Sequence, residues 1–132
     1  MGDFDYIIVG GGSSGATLAG RLAADPSLKV LLLEAGPSDG SLKIKVPLGY
    51  GSLFYDQKFN WKYETEPEPE LKGRRMYWPR GKVLGGSSAI NAMVYVRGHT
   101  NDYEEWAGVA PSWNWSNVEP YFKKMESWKG VE

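Results

Sequence analysis

Two nearly continuous apolar runs stand close to the start of the chain, and the stretch between them keeps a different period. Residues 4–9, FDYIIV, are rich in β-branched and aromatic side chains with little alternation, the pattern of a strand buried on both faces of a parallel sheet. Residues 29–33, KVLLL, repeat it. Between them Ala16, Ala19, Gly20 and Ala23 recur at helical spacing with Leu18 and Leu22 beside them. That predicts a helix over 14–24 whose small-residue stripe can lie close to a sheet. Asp25-Pro26 ends it, because proline cannot continue a helix and restricts the residue before it. Strand, helix, strand over 4–36 predicts an α/β fold opening on a Rossmann-like βαβ unit.

Past residue 36 the periodicity fades. Pro37, Pro47, Pro67, Pro69 and Pro79 punctuate 37–80, so regular structure should be sparse there. Yet Tyr50, Phe54, Tyr55, Phe59, Trp61, Tyr63, Tyr77 and Trp78 fall in the same stretch, which is too aromatic for a solvated linker. An ordered loop or lid is expected, with a short strand near 61–65. Glu64, Glu66, Glu68 and Glu70 alternate between prolines, an extended solvated face rather than a convergent cation site. Ala89, Ile90, Met93 and Val94 predict a helix, capped by Ser87 or Ser88, in a loop-and-helix segment over 81–98. A helical segment over 100–132 follows. Thr100 or Asn101 caps 102–107, and Ser116 with Glu119 forms a capping box for 118–128, with Pro120 in the first turn. Trp106, Trp113, Trp115, Tyr121, Phe122 and Trp128 are its core candidates.

Composition narrows the classes. A chain of 132 residues allows one domain at most, and two strands are few for a parallel sheet of this type. An incomplete domain, the opening part of a larger protein, is therefore expected. The net charge of −1 gives no electrostatic case for nucleic acid or an anionic membrane. The lack of cysteine excludes disulfides, cysteine-based zinc sites and thiol catalysis within the chain, and suits a reducing compartment. Met1 to Asp5 holds no basic n-region, and no stretch approaches the roughly 20 apolar residues of a membrane span. A cytoplasmic protein without a membrane partner is expected.

The chemistry sits in the turn between the two apolar runs. Gly10, Gly12 and Gly15 have the G-x-G-x-x-G spacing. Gly10 allows the tight turn, Gly12 removes a side chain where a diphosphate must approach, and Gly15 lets the helix pack on the strand. Ser13 and Ser14 stand at the helix N-terminus, where unpaired amides and the helix dipole favour a phosphate. Glu34 ends the second run, where such units place the acid that accepts hydrogen bonds from a ribose diol. Together these residues make a dinucleotide-binding fingerprint. Gly85-Gly86 offers a second close approach of backbone to a ligand, or a glycine loop that only opens a buried helix; the residues leave both open.

Residues 81–104, GKVLGGSSAINAMVYVRGHTNDYE, resemble the first signature of the glucose–methanol–choline (GMC) family of FAD-dependent oxidoreductases. The N-terminal DYIIVGGGSSGATLAGRLA and VLLLEAG, the intervening NWKYETEPEPELKGRRMYWPRGK and the later WNWSNVEPYFKKME resemble that family in the same order, with the choline- and alcohol-dehydrogenase-like branch nearest. The resemblance implies FAD rather than NAD. By it, Gly10, Gly12, Ser13, Ser14 and Gly15 hold the diphosphate, Glu34 the adenosine ribose, and Ala35 lies beside the adenine. Val83, Gly85 and Gly86 follow the extended cofactor, and Asn91, Ala92, Met93 and Val94 approach the flavin, chiefly by backbone. Some members link FAD to a histidine where this chain has Ile90, so non-covalent FAD is expected. The family's catalytic histidine lies near the C-terminal end of much longer chains. His99, the only histidine here, is expected at the surface or in a loop, and no catalytic or metal-binding residue is assigned. The chain is then the FAD-binding N-terminal portion of an enzyme that transfers hydride from an alcohol CH–OH group to FAD. A C-terminal continuation or partner chain would receive the small-molecule alcohol. The alternatives are an FAD-binding member that does not oxidise alcohols, or a truncated chain without a function of its own.

Overall fold

The computed structural model describes residues 3–127, and the contacts divide the chain into two units, Met1–Val94 and Tyr95–Glu132. In the first, β1 (Tyr6–Val9) and β2 (Val30–Leu33) pair in parallel, Tyr6 opposite Val30 through to Val9 opposite Leu33. Asp5 sets the register from below: its amide donates to the Lys29 carbonyl at 2.9 Å and its carboxylate accepts the Lys29 amide at 2.8 Å. The crossover is α1 (Ser13–Leu22). It stops short of residue 24: Ala23 is its C-cap, and the next bond tightens to i→i−3, the Asp25 amide donating to the Leu22 carbonyl at 3.1 Å. Beyond it, the Asp25 carboxylate takes the amide and hydroxyl of Ser27 at 2.9 and 2.7 Å, turning the chain toward β2. Gly15 is required by the packing, since a Cβ there would lie 1.9 Å from the Gly10 carbonyl oxygen.

The strands are not buried on both faces among the described residues. Ile8 is buried on β1, but Ile7 is 60% and Val9 84% exposed. Two strands and one helix leave the other face uncovered, whereas the apolar sequence suits a wider sheet with helices on both sides.

The main apolar cluster lies instead beneath the 37–80 excursion. Leu53, Phe59, Val83 and Ile90 form it, with Ile44 and Ala89 packed against them. The excursion consists of α2 (Leu42–Lys45), a 3-10 turn at Pro47–Gly49, α3 (Tyr50–Leu53) and a pair of β3 (Tyr63–Glu64) with β4 (Tyr77–Trp78), joined through a second 3-10 turn at Pro69–Leu71. The strand expected near 61–65 is thus two residues long. Buried Asn60 ties these pieces together. Its side-chain amide donates to the Phe54 carbonyl at 3.0 Å, and its Oδ1 accepts the amides of Lys62 and Arg80 at 2.9 and 3.0 Å. Every polar group of this side chain is therefore used, which allows it to be buried.

The helix expected through Ala89 to Val94 does not form. A 3-10 turn at Gly86–Ala89 follows left-handed residues Gly85 (φ +94°) and Gly86 (φ +60°). Neither Ser87 nor Ser88 caps a helix; Gly85 precedes the turn. Met93 then takes φ +58°, with its amide bonded to Asn91 Oδ1 at 2.9 Å. That local side-chain bond competes with helical hydrogen bonding, and a positive φ breaks it.

In the second unit α4 spans Thr100–Ala107 and α5 Trp115–Met125. His99, rather than Thr100 or Asn101, caps α4: its Nδ1 accepts the Asn101 amide at 3.2 Å while Asp102 accepts the His99 amide at 2.9 Å. Asn114, not Ser116, caps α5 by accepting the Asn117 amide at 3.0 Å. The earlier start puts Pro120 inside the helix rather than in its first turn. Tyr103 joins the helices through rings at 5.3 Å (Trp115) and 5.9 Å (Phe122). Trp106, Trp113 and Tyr121 are largely exposed rather than core, and Trp128 lies outside the described residues.

Candidate cofactor site

The site grows from the turn after β1. The Gly10 amide closes on the Leu33 carbonyl at 2.7 Å, so the turn starts from the ends of both strands. Glu34 continues the anchoring: Oε2 accepts the Gly11 amide at 2.7 Å and Oε1 the Gly36 amide at 2.8 Å. Among the described residues no side chain caps α1, whose amides at Ser13 and Ser14 begin the helix without an intrahelical acceptor. A Cβ at Gly12 would meet its nearest heavy atom only at 3.8 Å. The turn therefore opens on free space where an anionic group can reach the backbone.

Gly85 and Gly86 come to this same turn, across more than 70 residues of sequence. The Gly85 amide donates to the Gly11 carbonyl at 2.8 Å, and Gly12 and Gly85 form a parallel bridge. A side chain at Gly86 would meet Gly12 Cα at 2.8 Å. The Ser13 hydroxyl donates to Ser88 Oγ at 2.9 Å. This contact builds the Gly85-Gly86 loop against the glycine turn, and the buried helix of the second reading does not open from it.

A cleft of ≈ 620 Å³ opens beside the joined loops. Gly10, Gly12, Glu34 and Ala35 line one side, and Trp61, Tyr63, Arg80 and Ser87 another. The set fits a nucleotide cofactor: glycine backbone for phosphate, a carboxylate for sugar hydroxyls, and aromatic surface for a base. Val83 lies elsewhere, its side chain wholly inside the apolar cluster. Asn91 and Met93 line a second cleft of ≈ 310 Å³ with Asp39, Lys45, Tyr50 and Ser88. Its rim carries the Lys45–Asp39 ion pair at 2.8 Å, and the hydrogen bond from Lys45, helped by its charge, holds the Asp39 carboxyl below the usual carboxylate range. Val94 is exposed, as is Ala92. Trp61, Tyr63 and Arg80 received no role from the sequence. Strand alternation does not bring the two rings together, because Lys62 between them has φ +57°; they meet as a parallel stack with centroids at 5.9 Å, and the sequence signal is limited to the arginine one residue before the second glycine loop begins.

These features fit a dinucleotide-cofactor cradle of the α/β type. Residues 4–132 match the family model described as GMC oxidoreductase, and the chain belongs to that family. It corresponds to the N-terminal, FAD-binding region of these flavoproteins. It is 52% identical over 124 residues to the alcohol dehydrogenase [acceptor] of Pseudomonas putida, covering 93% of this chain and 22% of that one. To the oxygen-dependent choline dehydrogenase of Vibrio vulnificus it is 51% identical over 126 residues, covering 95% and 22%. The crystal structure of pyridoxine 4-oxidase from Mesorbium loti superposes with a TM-score of 0.81 at 39% identity, covering 91% of this chain and 24% of that chain. The chain spans about a quarter of the length of the relatives it matches. Among the described residues no helix is long and apolar enough to cross a membrane.

Proposed function

We propose that the chain holds the adenosine-diphosphate half of a non-covalently bound FAD, in an enzyme that oxidises a small-molecule alcohol at its CH–OH group. The observation that carries this reading is the junction of Gly85-Gly86 with the glycine turn beside Glu34. When bound, FAD supplies a hydride acceptor. The residues named here bind and orient. Gly10, Gly12, Ser13, Ser14 and Gly15 give the diphosphate backbone donors and the positive end of α1. Glu34 keeps lone pairs for ribose hydroxyls after accepting two amides. Ala35 flanks the adenine. Gly85 and Gly86 follow the cofactor, Val83 supports that loop from inside the apolar cluster, and Asn91 to Val94 approach the ring. No residue here is assigned to remove the alcohol proton: His99 has its Nδ1 engaged in capping α4. That proton falls to the three quarters of the relatives' length that this chain does not match, as does the alcohol pocket. Ile90, buried in the apolar cluster, offers no atom for a covalent link to flavin. A cytoplasmic location is part of the same proposal.

The test is a visible spectrum of the purified chain after incubation with FAD and removal of free ligand. A retained flavin band, lost in a Gly12→Val plus Glu34→Ala variant, is expected. Acid precipitation should release all of that flavin into the supernatant, and a yellow pellet would sink the non-covalent assignment. A wild-type chain that keeps no flavin would overturn the cradle reading for this segment.

A further inference from the structure

Asn60 is the one buried polar side chain among the described residues, and it does not line the cofactor cleft. The bonds around it nevertheless lead there. Its Oδ1 accepts the Arg80 amide at 3.0 Å and the Lys62 amide at 2.9 Å. Alongside, the Trp61 amide donates to the Arg80 carbonyl at 2.9 Å and the Lys82 amide to the Phe59 carbonyl at 2.8 Å, while Asn60 and Gly81 form an antiparallel bridge. The approach to the second glycine loop is thus held against residues 59–62. Past Gly81 the loop has little freedom. The Gly81 amide donates to Ser87 Oγ at 3.0 Å, a Cβ at Gly81 would collide with the Gly86 carbonyl, and Gly86 rests against Gly12. The two ends of the Asn60 amide do different work. Nδ2 donates to the Phe54 carbonyl at 3.0 Å and the Leu53 carbonyl at 3.4 Å, which fixes the end of α3. Oδ1 faces the glycine loop instead. It also satisfies the amide of Lys62, whose φ of +57° a side chain disfavours.

We infer that Asn60 is a positioning residue for the cofactor: through Oδ1 it sets where the second glycine loop lies against Gly11 and Gly12, and so tunes the affinity of the cradle without touching the ligand. The inference rests on the cofactor reading above and gives the excursion a part in it. Without Oδ1, the half-buried Arg80 amide loses its acceptor, and the chain entering the loop shifts to find another. That shift moves Gly85 and Gly86, which reach the glycine turn only through backbone contacts that tolerate no added atom at Gly86. Coupling of this kind is reciprocal, so a ligand that binds the joined loops holds the bonds around Asn60 closed.

The experiment uses the full chain and measures the FAD dissociation constant by equilibrium dialysis for the wild type, Asn60→Ala, Asn60→Asp and Ile44→Ala. The temperature is one at which thermal melts show each protein folded. Ile44→Ala loosens the same apolar cluster and touches no Asn60 bond, so it should melt lower and bind FAD as the wild type does. Asn60→Ala should also melt lower, and should weaken FAD by about threefold to about thirtyfold. Asn60→Asp keeps both acceptor bonds and gives up the donor to Phe54, so it should melt lower yet keep the wild-type affinity. Wild-type affinity in Asn60→Ala, or an equal loss in Ile44→Ala, would reduce Asn60 to packing and leave the cradle standing. An Asn60→Asp variant as weak as Asn60→Ala would do the same, because Oδ1 would not then be the group that matters. Should an Asn60 variant fail to fold, the wild type decides. Hydrogen exchange at the Lys62 and Lys82 amides, on residues that do not line the cleft, should slow when FAD is bound, and an unchanged rate overturns the positioning role. A wild-type chain that retains no FAD removes the cofactor reading and this inference together.

Discussion

At the scale of single residues, Glu34 does two jobs. The acid at the end of the second strand is legible in sequence as a ribose acceptor, because position alone assigns it. Its bonds to the Gly11 and Gly36 amides are not legible, because they depend on how the turns on either side bring those amides to the carboxylate. The carboxylate is thus a clamp on the glycine turn before any ligand arrives. Glu34→Gln keeps the shape but replaces one acceptor oxygen with a donor, leaving one half-buried amide without its partner. A loss of about 1–2 kcal/mol in the ligand-free protein is expected, read as a lower melting temperature. A residue that served ribose alone would lower affinity and leave that melt unchanged, so equal melts for Glu34→Gln and wild type would remove the clamp.

At the scale of elements, the strongly periodic pieces were legible and the ones shaped by distant partners were not. β1, α1 and β2 follow from apolar runs and a small-residue stripe, with their ends displaced by a residue or two. The expected helix over Ala89 to Val94 failed because Gly85 and Gly86 adopt left-handed geometry to meet Gly12, a contact that local periodicity does not encode. The helix caps moved to His99 and Asn114 for a similar reason: several polar residues stood near each start, and sequence alone does not rank them. The excursion owes its shape to side-chain bonds between its short elements. Lys43 on α2 reaches Asp56, just past α3, at 2.8 Å, and Asp56 also accepts the Lys58 amide at 3.0 Å. The Lys43 hydrogen bond first, then the Lys58 amide, hold the Asp56 carboxyl below its ordinary value. A depressed carboxylate contributes stability above its unfolded value, near 3.8, and that contribution is lost as pH falls through the lower, folded value. Asp56→Asn should therefore melt below wild type at pH 7, and the two melting curves should converge as pH drops below about 4. The pair is partly exposed, so the gap should be small and should shrink with added salt. A gap that persists unchanged to pH 2 would rule out ionisation of Asp56 as its source.

At the scale of the whole molecule, the first unit has its apolar cluster under the excursion while its parallel sheet stays open. Ile7 and Leu33 are exposed on the strands, although their sequence is that of a sheet interior. The relatives are about four times as long, and this is the scale at which the missing cover belongs. Ile7 is the position that separates the two situations, because it lies on β1 and does not line the cofactor cleft. In this chain Ile7→Lys replaces an exposed apolar side chain with a solvated one. Its effect on stability should stay within about 0.5 kcal/mol, and dye binding to apolar surface and concentration-dependent light scattering should both fall. In a longer chain that carries this same segment within a wider sheet, the lysine would be forced beneath a neighbouring layer without a partner. The same substitution should then cost roughly 3 kcal/mol or more and lower the yield of folded protein. Equal, small effects in both settings would mean that β1 keeps an open face in the larger protein too, and that its apolar run serves a surface rather than a sheet interior.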